Sequence, residues 1–348
     1  MSSSGLQKAV VIGLKGDISL QRTPIPEPGP DDILVKIVTA AQNPSDWMAM
    51  QRGKVAGAIL GCDFAGTVHC IGSAVPEGQR TIGERVAGFV LGADGPGTFA
   101  EYVAVPAHFI VPIPQSWSFE DASQLGLTPF TALQALYESI VGLPLPTNPT
   151  TDAIPILIYG ASTSVGIFAV QFAKLAGLRV IATASRANFG LVKSIGADEI
   201  FDYKDPEMAR QIKDTTRGRL EFAVDCIANE QTLRLVSDAL SDDGGQVAAV
   251  LPGVSTRANV KVTFNLIYEW IGKDYDLPWE FRATSDHRER GERFANMFSD
   301  LIAQGKIKPG PVRVLPNGLA GVADGIQYML DGKVSGQKLV YCIADTVE

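Results

Sequence analysis

Hydrophobic positions change their period once along this chain. Up to about residue 113 the apolar residues come in short runs cut by glycine and proline. Segments 8–14, 33–41, 66–71, 85–90, 98–105 and 108–112 read as strands, with few helices among them. From residue 119 onward, three-to-four spacing alternates with short apolar runs. This predicts helices near 126–140, 164–176, 188–196, 207–217 and 230–241, and strands near 156–160, 179–184, 198–201, 221–227 and 245–251. Such alternation is the pattern of an α/β, doubly wound parallel sheet. The proline-rich stretch 142–155 reads as a surface loop, and the charged run 283–298, apolar at Phe294, Met297 and Phe298, as a surface helix. At 348 residues the chain is too long for one comfortable core, so two domains are expected.

One segment carries chemistry on its face. Residues 156–185 compress a strand, a turn of small side chains, a helix and a second strand into thirty positions. The turn 160–164 ends at a helix N-terminus, where free N–H groups and the helix dipole favour an anion such as a pyrophosphate. Only Gly160 and Gly166 frame it, because Thr163 and Ser164 stand where glycines often do, and an ordinary strand-to-helix turn would read the same way. After the second strand come Ser185, Arg186 and Asn188, with no acid to hold ribose hydroxyls. An arginine among neutral donors suits a 2′-phosphate, which favours NADPH over NADH.

Taken together, several motifs resemble the zinc-independent medium-chain dehydrogenases/reductases over nearly the whole chain. They are PIPEPGPDDILVKI at 24–37, AQNPSDW at 41–47, GCDFAG at 61–66, IGERVAGF at 82–89, GTFAEYVAVP at 97–106, GLTPFTALQAL at 126–136, YGASTSVG at 159–166, LVKSIGAD at 191–198 and VSGQKLVY at 334–341. YGASTSV, ASRANF at 184–189 and FDY at 201–203 look most like the trans-acting enoyl reductases of fungal polyketide synthesis. The resemblance implies a Rossmann NADP-binding domain at 123–311 and a GroES-like, β-rich catalytic domain made of 1–122 with 312–348.

The same resemblance implies a cofactor pose. Ser45, Asp46, Trp47 and Met48 line the nicotinamide side, and Ser162, Thr163, Ser164 and Val165 hold the pyrophosphate. Ser185, Arg186, Ala187, Asn188 and Tyr203 surround the 2′-phosphate, while Val250, Leu251, Val334 and Ser335 flank the nicotinamide. The candidate catalytic residues are Thr128, Asp46 and Trp47. Each has a plainer reading: Thr128 as the cap of the helix before Pro129, Asp46 as a turn cap within Asn-Pro-Ser-Asp that does not titrate, and Trp47 as a core aromatic. Polyketide-type relatives often carry a lysine where Met48 stands, so the proton donor is not identified; water, Thr128 and Thr131 are the alternatives.

No metal site assembles in the sequence. The four cysteines, Cys62, Cys70, Cys226 and Cys342, lack the two-residue spacing of a structural zinc, and the three histidines are scattered. Zinc alcohol dehydrogenases place a cysteine near 43–46 and a His-Glu pair near 62–63; here the second pair reads Cys-Asp. A fallback site would be Cys62, Asp63 and His69. Without a metal to polarise an alcohol, hydride delivery to a conjugated C=C is the chemistry that fits a nicotinamide. The expected substrate is a small-molecule or carrier-bound enoyl compound. Its expected pocket, between the domains, is lined by Trp47, Met48, Thr128, Phe130, Leu133 and residues 264–270. A quinone oxidoreductase of the same fold and a non-catalytic NADPH sensor are the alternatives.

Charge excludes other classes. A net charge of -8 with dispersed lysines and arginines argues against nucleic acid or an anionic membrane as partner. No run of about twenty apolar residues is present, and residues 1–10 lack the apolar core of a signal peptide, so a cytoplasmic monomer or homodimer is expected.

Overall fold

The computed structural model describes residues 5–51, 56–92, 96–276 and 280–347. The chain forms two compact units: Met1–Leu127 with Tyr268–Gly305 and Pro309–Glu348, and Thr128–Ile267 with Lys306–Lys308. This grouping differs from the expected boundaries in one long piece, since Tyr268–Gly305 joins the N-terminal unit rather than the dinucleotide unit. Contacts to N-terminal residues explain the placement: the Tyr268 ring lies against Phe89 with centroids 6.2 Å apart, and Lys273 pairs with Asp32 at 2.8 Å. The segment is held together internally by aromatic packing. Trp270 stacks on Phe294 with centroids 4.7 Å apart, and Gly291 lets the Ser285–Ala303 helix approach closely, since a Cβ there would lie 2.2 Å from the Trp270 carbonyl oxygen.

In the second unit six parallel strands run in the order Glu199–Asp202, Arg179–Ala184, Pro155–Tyr159, Phe222–Asp225, Gly245–Ala249 and Val260–Phe264. In chain order this is 3-2-1-4-5-6, with the direction of winding reversing between Pro155–Tyr159 and Phe222–Asp225. The central strands are continuous apolar runs, Ile156–Ile158 and Val180–Ala182 being fully buried, as a sheet covered on both faces requires. The sixth strand, Val260–Phe264, was not among the expected strands; it alternates Val-Lys-Val-Thr-Phe at a sheet edge and lacks the long apolar run that marks its neighbours. The 126–140 helix is in fact Leu127–Gln134 continued by a π-helical turn, Ala135–Ser139.

The first unit is built on a mixed sheet in the order Val312–Val314, Lys338–Cys342, Asp32–Ala41, Asp63–Ile71, Arg85–Phe89 and Val111–Pro112, with Tyr102–Pro106 also pairing Asp32–Ala41. A hairpin, Leu6–Ile12 with Ile18–Pro24, stands apart from it. A helix, Pro44–Gln51, interrupts the stretch expected to hold few helices, and the tail carries another, Val322–Leu330. The first is hidden in sequence because its start is written in turn residues. Pro44 occupies the first helical position, where a missing N–H costs nothing. The Asp46 carboxylate then reaches back to accept the Asn43 N–H at 2.6 Å.

Candidate functional site

The turn 160–164, expected to hold a pyrophosphate, sits at the reversal point of the six-stranded sheet. Gly160 leaves its strand at φ 78°, a left-handed conformation that suits glycine, and its N–H is held by Thr183 Oγ1 at 3.0 Å. Thr163 caps the Ser164–Leu175 helix, its Oγ1 accepting the Gly166 N–H at 3.0 Å. This leaves the Ser164 and Val165 amides, which lie in the first turn, to face an anion. Gly166 is required by closeness: a Cβ there would stand 2.4 Å from the Gly160 carbonyl oxygen and 2.7 Å from Ala161 Cα. Helix and turn are thus clenched together beneath an end that suits a pyrophosphate, so the residues present fit a dinucleotide.

On the other side of the reversal point, Asp225 ends its strand fully buried. It accepts the Ile227 and Ala228 amides at 3.0 and 2.9 Å and the Thr232 hydroxyl at 2.7 Å. Burial raises its pKa despite these bonds. Ala228 is held at φ 56° by this arrangement, which shapes the crest facing the turn.

Beyond the second strand, Asn188 Nδ2 donates to Ser185 Oγ at 3.2 Å and to Ser162 Oγ at 3.3 Å, tying two of the predicted segments together. Arg186 is 82% exposed and pairs with Asp202 at 3.0 Å. Asp202 also accepts the Lys204 amide at 3.0 Å, and these contacts, the Lys204 amide first and Arg186 second, hold its carboxyl below the usual range. The sequence has no acid directly after the second strand; the acid arrives one strand later, by the register that sets Asp202 against Ala184. Lys204, with its ammonium 5.8 Å from the Tyr203 ring centroid, adds a second cation that the motif did not name. Val250 and Leu251 follow the carboxyl end of Gly245–Ala249, the edge at which such sheets bind ligands.

The first unit holds a buried polar cluster assembled by register. Ala41 pairs with Asp63 on one side and Val340 on the other, which brings Asn43, Asp63 and Lys338 to one place. Lys338, 4% exposed, donates to Asp63 Oδ2 at 2.9 Å and to Asn43 Oδ1; Asn43 Nδ2 donates to the same Asp63 oxygen at 2.9 Å. The other Asp63 oxygen accepts the Leu127 N–H at 2.6 Å, a carboxylate on a helix N-terminus. Gly126 makes room, since a Cβ there would lie 2.4 Å from Asp63 Oδ1. Breaking such a pair strands a buried charge, at a cost of about 3–5 kcal/mol.

Asp46 lies beside this pair, 1% exposed, with Oδ1 lacking a hydrogen-bond partner. Desolvation pushes its pKa up to about 7, against the Asn43 N–H bond; Asp63 adds to the rise and Lys338 opposes it. The expectation that Asp46 caps a turn without titrating is therefore half corrected: it caps, and its burial places it near neutrality. Ser45 and Met48 are half-buried in the same helix, and Trp47 packs on the core. Val334 also packs on that core, and Ser335 is exposed.

Other expectations need correction. Thr128 is the second residue of its helix, not its cap, because the helix begins at Leu127, whose N–H Asp63 takes. Phe130, Leu133 and Trp270, expected in a pocket wall, have no exposed surface and serve the interior. A zinc does not fit. Among the described residues no three His, Cys, Asp or Glu side chains are grouped to hold a metal. Asp63 is committed to Lys338, Asn43 and Leu127, and His69 is exposed with its ring edge-on to Tyr102 at 5.3 Å. Among the described residues no helix is long and apolar enough to cross a membrane. Sequence reasoning missed Lys338, whose signal was a lone cation opening the apolar run Lys-Leu-Val-Tyr, and named Tyr268 only within the pocket segment 264–270.

Residues 29–115 match the alcohol dehydrogenase GroES-like domain, and residues 164–269 the zinc-binding dehydrogenase family. The chain is 39% identical over 345 residues to trans-enoyl reductase ACTTS2 of Alternaria alternata, covering 97% of this chain and 99% of that protein. It is 36% identical over 343 residues to trans-enoyl reductase RAP2 of Pyricularia oryzae, covering 95% and 97%. Among solved structures the fold is shared with the CurK enoyl reductase, TM-score 0.77 at 18% identity over 96% of this chain and 98% of that one. A quinone oxidoreductase of Pseudomonas syringae gives TM-score 0.75 at 22% identity over 96% and 99%.

Proposed function

The chain belongs to the trans-enoyl reductases within the medium-chain dehydrogenase/reductase superfamily, and on that premise we propose that it reduces the C=C bond of a carrier-bound enoyl thioester with NADPH, in the cytoplasm and in trans to a polyketide-type synthase. The observation that carries this reading is the committed state of Asp63. In the region where zinc alcohol dehydrogenases place metal ligands, this chain has a Lys338–Asp63–Asn43 network and protic side chains. When bound, the nicotinamide supplies a hydride. The β-carbon of the enoyl group accepts it, the C=C electron pair moves toward the carbonyl oxygen as an enolate, and the α-carbon then takes a proton from water.

The chain's own residues orient this exchange. Ser162 to Val165 would hold the pyrophosphate at the capped helix end, and Ser45 to Met48, Val250, Leu251, Val334 and Ser335 the nicotinamide. Ser185 to Asn188 with Tyr203 would surround the adenosine ribose. Arg186 must leave Asp202, a half-buried carboxylate, to reach a 2′-phosphate, an exchange of one anion for another of higher charge.

Two measurements test the reading. NADPH should bind about ten- to a hundredfold more tightly than NADH in a fluorescence titration, and Arg186→Ala should erase most of that preference; equal affinities in the unaltered protein reject the NADPH assignment. Single-turnover loss of NADPH with enoyl thioesters of increasing chain length, simple enals and quinones decides the substrate class. Consumption of quinones alone favours the quinone oxidoreductase reading, and consumption of none favours the sensor.

A further inference from the structure

Three protic side chains from separate parts of the first unit meet beside the Asn43 turn. Ser45 Oγ lies 3.5 Å from Cys62 Sγ, and Tyr268 Oη lies 3.6 Å from the same sulfur. The Cys62 thiol itself donates toward the Leu91 carbonyl oxygen at 3.5 Å. The Ser45 and Tyr268 hydroxyls are therefore set against sulfur, a weak acceptor. Donors placed in this way lose little on turning to an oxygen, and they gain most when that oxygen carries charge.

The arrangement is fixed rather than incidental. Tyr268 lies in the tight turn Ile267–Ile271, which the Trp270–Phe294 stack anchors, and its ring is tilted against Phe89 with centroids 6.2 Å apart. Burial holds both the Tyr268 hydroxyl and the Cys62 thiol well above their ordinary pKa values, so both keep their protons. The nearest carboxyls do not oppose an anion below neutrality: Asp63 is paired with Lys338 at 2.9 Å, and Asp46 is protonated below about pH 7.

We propose that Tyr268 is a catalytic residue, its hydroxyl oriented by Ser45 and Cys62 and donating the hydrogen bond that carries the charge on the substrate carbonyl oxygen after hydride addition. This assignment deepens the enoyl reductase reading and rests on it. Tyr268 adds no covalent step; it stabilises the enolate oxygen while the α-carbon awaits its proton. Its aromatic ring remains in Tyr268→Phe, so that variant isolates the hydroxyl.

The test is single-turnover reduction of a crotonyl thioester by NADPH with the wild type and Tyr268→Phe. The variant should lose about 10²- to 10³-fold in the hydride-transfer rate, as removal of one oxyanion donor does. KM should change less than about threefold on the same argument, because the charge appears only after the bond has formed. Dinucleotide affinity and melting temperature should be unchanged. A second readout is independent of turnover: an acetoacetyl thioester bound to the wild type should ionise to its ultraviolet-absorbing enolate at lower pH than in water, and Tyr268→Phe should abolish that shift. An active wild type matched by an equally active Tyr268→Phe rejects Tyr268 and leaves the enoyl reductase reading standing. A wild type that reduces no enoyl thioester rejects both.

Discussion

Asp46 is a buried carboxyl, 1% exposed. Unfolded, it titrates near 3.8; folded, at about 7. Between those values the native protein holds a proton that the unfolded chain has already released. The contribution of this group to stability is therefore complete below pH 4, falls as pH rises toward 7, and is constant above that. The loss amounts to about 4 kcal/mol at most, from the size of the shift. Asp46→Asn keeps an oxygen for the Asn43 N–H and cannot ionise. We expect it to be more stable than the wild type at pH 8, with a flatter profile between pH 4 and 7, in urea unfolding followed by fluorescence. A wild-type curve that rises over that interval contradicts the assignment. The Asn-Pro-Ser-Asp spelling that shows the turn cannot show this. Titration depends on burial and on charges such as Asp63 and Lys338, which the fold brings beside it from elsewhere in the sequence.

The helix Ser164–Leu175 and the turn before it were legible from side-chain size and period alone, because a tight strand–turn–helix is specified locally. That tightness also yields a test. Gly166→Ala would drive its Cβ into the Gly160 carbonyl and Ala161 Cα, backbone atoms that cannot rotate aside. Overpacking of this kind costs about 1–3 kcal/mol. Dinucleotide affinity should fall by more than about tenfold, since a shift of 1.4 kcal/mol is already tenfold. Gly190→Ala, with nothing within 4 Å of the new Cβ, should leave dinucleotide affinity unchanged. A titration in which the two variants behave alike counts against a phosphate-binding turn. The elements that sequence misjudged share a different cause. Pro44–Gln51 begins in turn-forming residues, Val260–Phe264 alternates like an edge strand, and Tyr268–Gly305 joins its unit through contacts such as Tyr268 on Phe89 and Lys273 with Asp32. None of these is decided by local pattern.

For the molecule as a whole, family membership brings a zinc-binding name to a chain whose Cys62 and Asp63 are otherwise engaged. Elemental analysis of the purified protein should find no stoichiometric zinc, and activity should survive a chelator; one zinc per chain would overturn the reading. The pairing of Lys338–Cys342 with Asp32–Ala41 reaches further than the site it frames. The strand Asp32–Ala41 pairs early with Asp63–Ile71 and, over Asp32–Lys36, with Tyr102–Pro106, but its Thr39–Ala41 end finds its partner only when Lys338–Cys342 has been made. During synthesis the sheet that ends in Lys338 must therefore wait, with one edge open, while Thr128–Ile267, contiguous in sequence, can close on itself first. A ribosome stalled before codon 338 would hold a finished dinucleotide unit joined to an unfinished partner, and a protease would tell the two apart.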